Sequence, residues 1–134
     1  KGRYDLAVNY VTSLLKSDDI ETVGVGSELL RKFNSSIVFS RQDWVRDLLI
    51  HGKAKGHQFF DEIKGCLFRL GIPMEKHGTA GQPMPQDVAL VENSIAAVGK
   101  AESDLEKEFY TQLKEYGERE IARTMKEHQR YLDE

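Results

Sequence analysis

The sequence predicts an all-α protein: an antiparallel helical bundle with one long C-terminal helix, built as one domain over residues 1–134 and suited to an elongated dimer. Three observations lead there. The only prolines stand at 73, 83 and 85, so long stretches on either side lack the residue that most strongly breaks a helix. Apolar residues recur at three- and four-residue steps over most of the chain, which is the period of one helix face. Apolar residues make up 40% and charged residues 31%, a balance of globular or coiled-coil chains and not of disorder.

Residues 1–38 read as short lead helices. In the first, over 4–16, Leu6, Ala7, Tyr10, Val11, Leu14 and Leu15 form an apolar stripe. Ser17, Asp18 and Asp19 follow, whose short polar side chains satisfy free backbone N–H groups at turns and helix starts. A second, weaker helix covers 20–33. Gly24 and Gly26 lower its propensity by about 1 kcal/mol each relative to Ala, and Leu29, Leu30 and Phe33 supply its buried face.

Residues 39–71 read as one helix or a helical hairpin. Ser40 with Asp43 resembles a capping box at its start. The stripe runs through Trp44, Val45, Leu48 and Leu49, then Phe59, Phe60, Ile63, Leu67 and Leu70. Gly52 and Gly56 lie between the two halves. They imply either close backbone approach within a continuous helix or a break into two helices. Gly71, with Pro73 two residues later, is a stop signal. Residues 72–86 read as a loop.

From 87 to 133 no proline intervenes, and the apolar or small residues Val88, Val91, Ile95, Val98, Ala101, Leu105, Phe109, Leu113, Tyr116, Ile121, Met125 and Leu132 mostly keep the helical step. One helix of that length would run about 70 Å at 1.5 Å per residue, with Gly117 as its weak point. Such a rod must bury its stripe against neighbours, which implies a bundle or a dimer.

The charge and the reactive residues exclude several functions. A net charge of −3 argues against nucleic acid as a partner, because such binding needs a basic face to displace counterions. Cys66 is the only cysteine, so no intrachain disulfide forms and a reducing, cytoplasmic setting is expected. It falls on an apolar face between Ile63 and Leu70, the place of a buried structural thiol. No apolar run reaches the ~18 residues of a membrane span, and the start does not read as a signal peptide. A first residue of Lys1 is expected of a processed or trimmed chain.

No metal ligand set emerges. Di-iron bundles use Glu-x-x-His, which places two ligands on one face; here Glu127 and His128 are adjacent and about 100° apart, and His51 and His57 do not share a face. Gly52-Lys53 lacks the rest of a phosphate-binding loop. The run from Asp61 to Gly65 has the local form of a histidine phosphotransfer motif, but Asp61 stands where the phosphorylated histidine belongs. No nucleophile has a base beside it, and the carboxylates show no paired acid–base arrangement. Trp44 fits a core anchor. The chain is therefore expected to be no enzyme and to need no cofactor.

Residues 41–134 resemble a BAR-type membrane-remodelling module. The likeness lies in Trp44, Leu48-Leu49-Ile50, Gly52-Lys53-Ala54, Phe59-Phe60, Leu70-Gly71, the run from Asn93 to Gly99, and the run from Leu105 to Leu132. It implies a homodimer of long helices, peripheral to a membrane, that meets anionic lipid through basic residues. Candidate lipid- or partner-binding residues are then Lys53, Lys55, Lys64 and Arg69, or Arg119, Arg123, Lys126 and Arg130. Residues 44–70 also resemble the middle of a caspase-recruitment domain: Leu48-Leu49 precede Gly56 by a short turn and Phe60 starts the next helix. That likeness requires the Gly52–Gly56 segment to be a loop, and implies a soluble adaptor that binds another helical protein.

Overall fold

The computed structural model describes residues 2–133. Among these there are seven helices and no strand: α1 (Gly2–Leu15), α2 (Ile20–Leu30), α3 (Ile37–Ser40), α4 (Gln42–Lys55), α5 (His57–Gly71), α6 (Pro85–Lys100) and α7 (Asp104–Asp133). They form two compact units, divided after Gly71.

In the first unit, α2 packs on α1 and α5, α4 packs on α5, and the short α3 touches α4 and α5. The core is Val8, Val11, Leu15, Val23, Leu30, Ile37, Val38, Val45, Leu48, Leu49, Ile63 and Leu67, all at most 3% exposed. Asp19 begins α2, its carboxylate accepting the Glu21 N–H. The expected stripe of α1 is displaced. Val8, Val11 and Leu15 face inward, while Leu6 (69%) and Tyr10 (60%) are exposed. This helix carries apolar residues around most of its circumference, so periodicity alone does not select the inner face.

The start of the third predicted helix also differs. Ser40 ends α3 and caps nothing; Arg41 precedes α4 without a side-chain cap. Trp44 is half-buried, its indole N–H donating to Thr12 Oγ1 at 2.8 Å and so tying α4 to α1.

The two glycines between α4 and α5 divide the alternatives between them. Gly56 breaks the helix, with φ +131°, a region that side chains with a Cβ rarely enter. Gly52 stays helical and provides the close approach: a Cβ there would stand 3.1 Å from Ile63 Cδ1 and 3.2 Å from Phe60 Cα. The stretch 39–71 is thus a helical hairpin preceded by one short turn of helix.

The second unit differs most from expectation. The loop ends earlier, because Pro85 occupies the first turn of α6, where its missing N–H has no partner to lose. The predicted single rod from 87 to 133 is two helices, and the break falls at 101–103, not at Gly117. A variant of the capping box makes it, with the returning bond one residue before the N-cap. Ser103 Oγ accepts the Glu106 N–H at 3.2 Å, and Glu106 Oε1 reaches back to the Glu102 N–H at 3.1 Å. Gly117 remains helical and lets α6 come close, since a Cβ there would lie 2.7 Å from Val91 Cγ2. Hence α7 folds back along α6 over Leu90, Ala97, Phe109, Tyr110 and Leu113, which form the core of this unit. At 30 residues α7 is about 45 Å long, still the longest helix described.

Candidate interaction surfaces

The structure separates the eight basic candidates into a dispersed set in the first unit and a coherent set in the second. At the α4–α5 hairpin, the ammonium groups of Lys53 and Lys64 stand 5.0 and 5.7 Å from the Phe60 ring centroid, within cation–π range. Lys55 belongs to neither lysine's surroundings. It pairs with Asp18, donates to the Ser17 carbonyl at 3.3 Å and lies over the Phe59 ring, so it ties the end of α4 to the α1–α2 turn. Arg69 is exposed in the last turn of α5, five residues and so about 140° around the helix from Lys64.

Arg119, Arg123, Lys126 and Arg130 recur at steps of four, three and four, and α7 is unbroken through them. All four therefore share one exposed face, within an arc of about 60°. Arg123 is held by two neighbours, Glu120 at 2.9 Å and Glu127 at 2.9 Å, which raise its pKa above the ordinary guanidinium value. Arg119, Lys126 and Arg130 form no ion pair among the described residues.

Beside this face lies a charge network that periodicity cannot reveal. Lys76, from the loop after α5, reaches Glu120 Oε1 at 2.7 Å and lies 3.0 Å from Asp87 Oδ1, with its hydrogen bond directed to Oδ2 at 3.3 Å. Asp87 is fully buried in the first turn of α6. Burial alone would lower the Lys76 pKa, but Glu120 and Asp87 outweigh it and raise it. Arg123 and Lys76 in turn hold Glu120 down at about 2. A few residues on, Thr79–Gln82 form a turn closed by the Gln82 N–H on the Thr79 carbonyl, with Gly81 at φ +86°. Gly81 lies against the His128 ring of α7: a Cβ there would meet Nε2 at 3.0 Å.

Among the described residues no catalytic constellation appears beside these surfaces. Cys66 is buried, its thiol donating to the Ile63 carbonyl at 3.1 Å, and burial pushes its pKa up to about 11. His57 and Asp61 meet at 3.3 Å on the exposed start of α5. An open groove of about 310 Å³ beside them is lined by Ile20, Gln58, Asp61 and Glu62 and contains no nucleophile. Among the described residues no group of three His, Cys, Asp or Glu could hold a metal ion, and no helix is long and apolar enough to cross a membrane.

No protein-family model matches the chain, and comparison with curated proteins and with solved structures gives no match either.

Proposed function

We propose that this chain is a noncatalytic helical scaffold that self-associates and meets an anionic membrane surface through the terminal turns of α7. One observation carries the reading: Arg119, Arg123, Lys126 and Arg130 share an exposed face, and among the described residues three of them have no acidic partner to neutralise them. Each basic group close to an anionic leaflet contributes about 1 kcal/mol, so such a row gives salt-sensitive binding even on a chain of net negative charge. The likeness to BAR-type modules points the same way, with antiparallel helices and an elongated dimer that brings two such rows together.

Sedimentation with phosphatidylserine vesicles tests this. Binding is expected at low salt, with loss at high salt and in the Arg119→Glu, Lys126→Glu, Arg130→Glu variant. Absence of salt-sensitive binding removes the membrane reading.

A soluble adaptor that binds another helical protein is the second reading. Two features favour it. Gly56 interrupts the α4–α5 stretch, as the likeness to a caspase-recruitment domain requires. Leu6 and Tyr10, one turn apart on α1, expose apolar surface that none of the described residues covers. A compact monomer in sedimentation velocity, with no vesicle binding, selects this reading.

A further inference from the structure

Beyond Gly117 the stripe of α7 continues as Ile121, Met125, His128 and Leu132. The steps of four, three and four are those of a two-helix seam. Met125 (37%) and Leu132 (62%) are exposed, while Ile121 and His128 are half-buried. The loop after α5 lies on this stretch. Gly81 covers the ring of His128, and Lys76 anchors the same loop to Glu120 and Asp87.

We infer that residues 72–84 form a strap over the seam of α7, and that a second copy of this chain docks its own α7 there when the strap lifts from His128. The inference rests on the self-association proposed above and supplies its surface and its control.

The charge pattern identifies the occupant. The positions flanking the seam are Ala122, Thr124, Gln129 and Tyr131, none of them charged; Glu118, three residues before Ile121, stands at its upstream end. Two copies paired antiparallel about Met125 and His128 therefore bring no like charges together, because each Glu118 then falls past the end of the other's seam, and a strongly acidic or basic partner helix would find no complement at the flanks. Arg119, Arg123, Lys126 and Arg130 fall on the far side of the helix, so the paired form keeps its basic rows facing outward. His128 gives the seam one polar position, a device that fixes register in paired helices at some cost in stability.

The strap and the second copy compete for His128, so the apparent dimer affinity scales with the fraction of chains whose strap is open. Gly81→Ala shifts that fraction. Its Cβ would press on the His128 ring, and its φ is one that alanine adopts with strain.

Sedimentation velocity of the full chain, wild type and Gly81→Ala, reads the result. The variant is expected to dimerise about ten-fold more tightly, and adding Met125→Glu with Leu132→Glu returns it to monomer. Hydrogen exchange on the wild type gives a readout independent of any variant's folding: the amides of residues 79–82 exchange faster as protein concentration rises. A wild-type dimer that survives Met125→Glu with Leu132→Glu, or whose strap amides stay equally protected, overturns the inference while leaving self-association intact. Wild type and Gly81→Ala both monomeric at every concentration overturn the two together.

Discussion

In α7, residues 104–117 contain every buried position of the helix, namely Glu106, Phe109, Tyr110, Leu113 and Gly117, whereas none of residues 118–133 is buried. The apolar step is the same in both halves. The difference is the neighbour. At 16 residues α6 is about 24 Å long and reaches only as far as Gly117, where Asp87, Leu90 and Val91 close on the helix. Beyond that point the loop after α5 touches α7 at Glu120 and His128. A hydrophobic period thus shows which face of a helix is apolar, but the length of its partner decides how much of that face is covered.

The largest expected effect tests this contrast directly. Phe109→Ala should cost about 3–5 kcal/mol, through lost burial and the cavity left behind. Met125→Ala, about two turns beyond the last buried position of the same helix and 37% exposed, should stay within about 0.5 kcal/mol. Trp44 is the only tryptophan and sits in the first unit, so its fluorescence follows that unit while far-UV circular dichroism follows both. Phe109→Ala should lower the circular-dichroism transition; equal effects at 109 and 125 would mean that the two halves are covered alike.

Acid should act next, at the junction of the halves. The Glu120 pKa is depressed from 4.5 to about 2, with Arg123 and then Lys76 as the causes. A depressed carboxylate contributes stability that is fully present above its unfolded value and lost as pH falls through the folded one. The second unit should therefore weaken between about pH 4.5 and pH 2, by on the order of 2 kcal/mol once partial exposure is discounted. Glu120→Gln should flatten that part of the pH profile in urea titrations. An unchanged profile would mean that Lys76 does not hold the loop to α7.

Gly117→Ala should cost about 1–2 kcal/mol net. Alanine gains about 1 kcal/mol of helix propensity, but its Cβ would overlap the stiff Val91 side chain at 2.7 Å. A stabilised variant, judged by the urea midpoint, would show that α6 does not pack closely there.

Much of the fold was legible because helix existence depends on local signals. The stop at Gly71 and the turn at Ser17–Asp19 stand where turn chemistry places them. The four basic residues of α7 share a face that their spacing alone defines. What escaped depends on other parts of the chain. The inner face of α1 is chosen by α2, not by its own sequence, which is apolar on several sides. Lys55 is drawn away from the basic candidates by Asp18, 37 residues earlier. Lys76 gained its role only because Asp87 and Glu120 converge on it, and no sequence spacing marks such a meeting. The break before α7 is of another kind, since Ser103-x-x-Glu106 is a readable signal that an otherwise continuous apolar stripe obscured.

That break gives the smallest expected effect. Ser103→Ala removes the acceptor for the Glu106 N–H and should cost about 1 kcal/mol, the usual loss on deleting an N-cap. It should not fuse α6 and α7 into one rod. Fusion would pull Phe109, Tyr110 and Leu113 off Leu90 and Ala97, exposing a core whose burial outweighs the few helical hydrogen bonds gained. The Glu106 carboxylate, fully buried, would also lose the Glu102 N–H that it accepts. The variant should therefore melt slightly earlier with unchanged helicity at 222 nm and an unchanged sedimentation coefficient. A rise in helicity with slower sedimentation would mean that the cap, and not the packing behind it, divides the two helices.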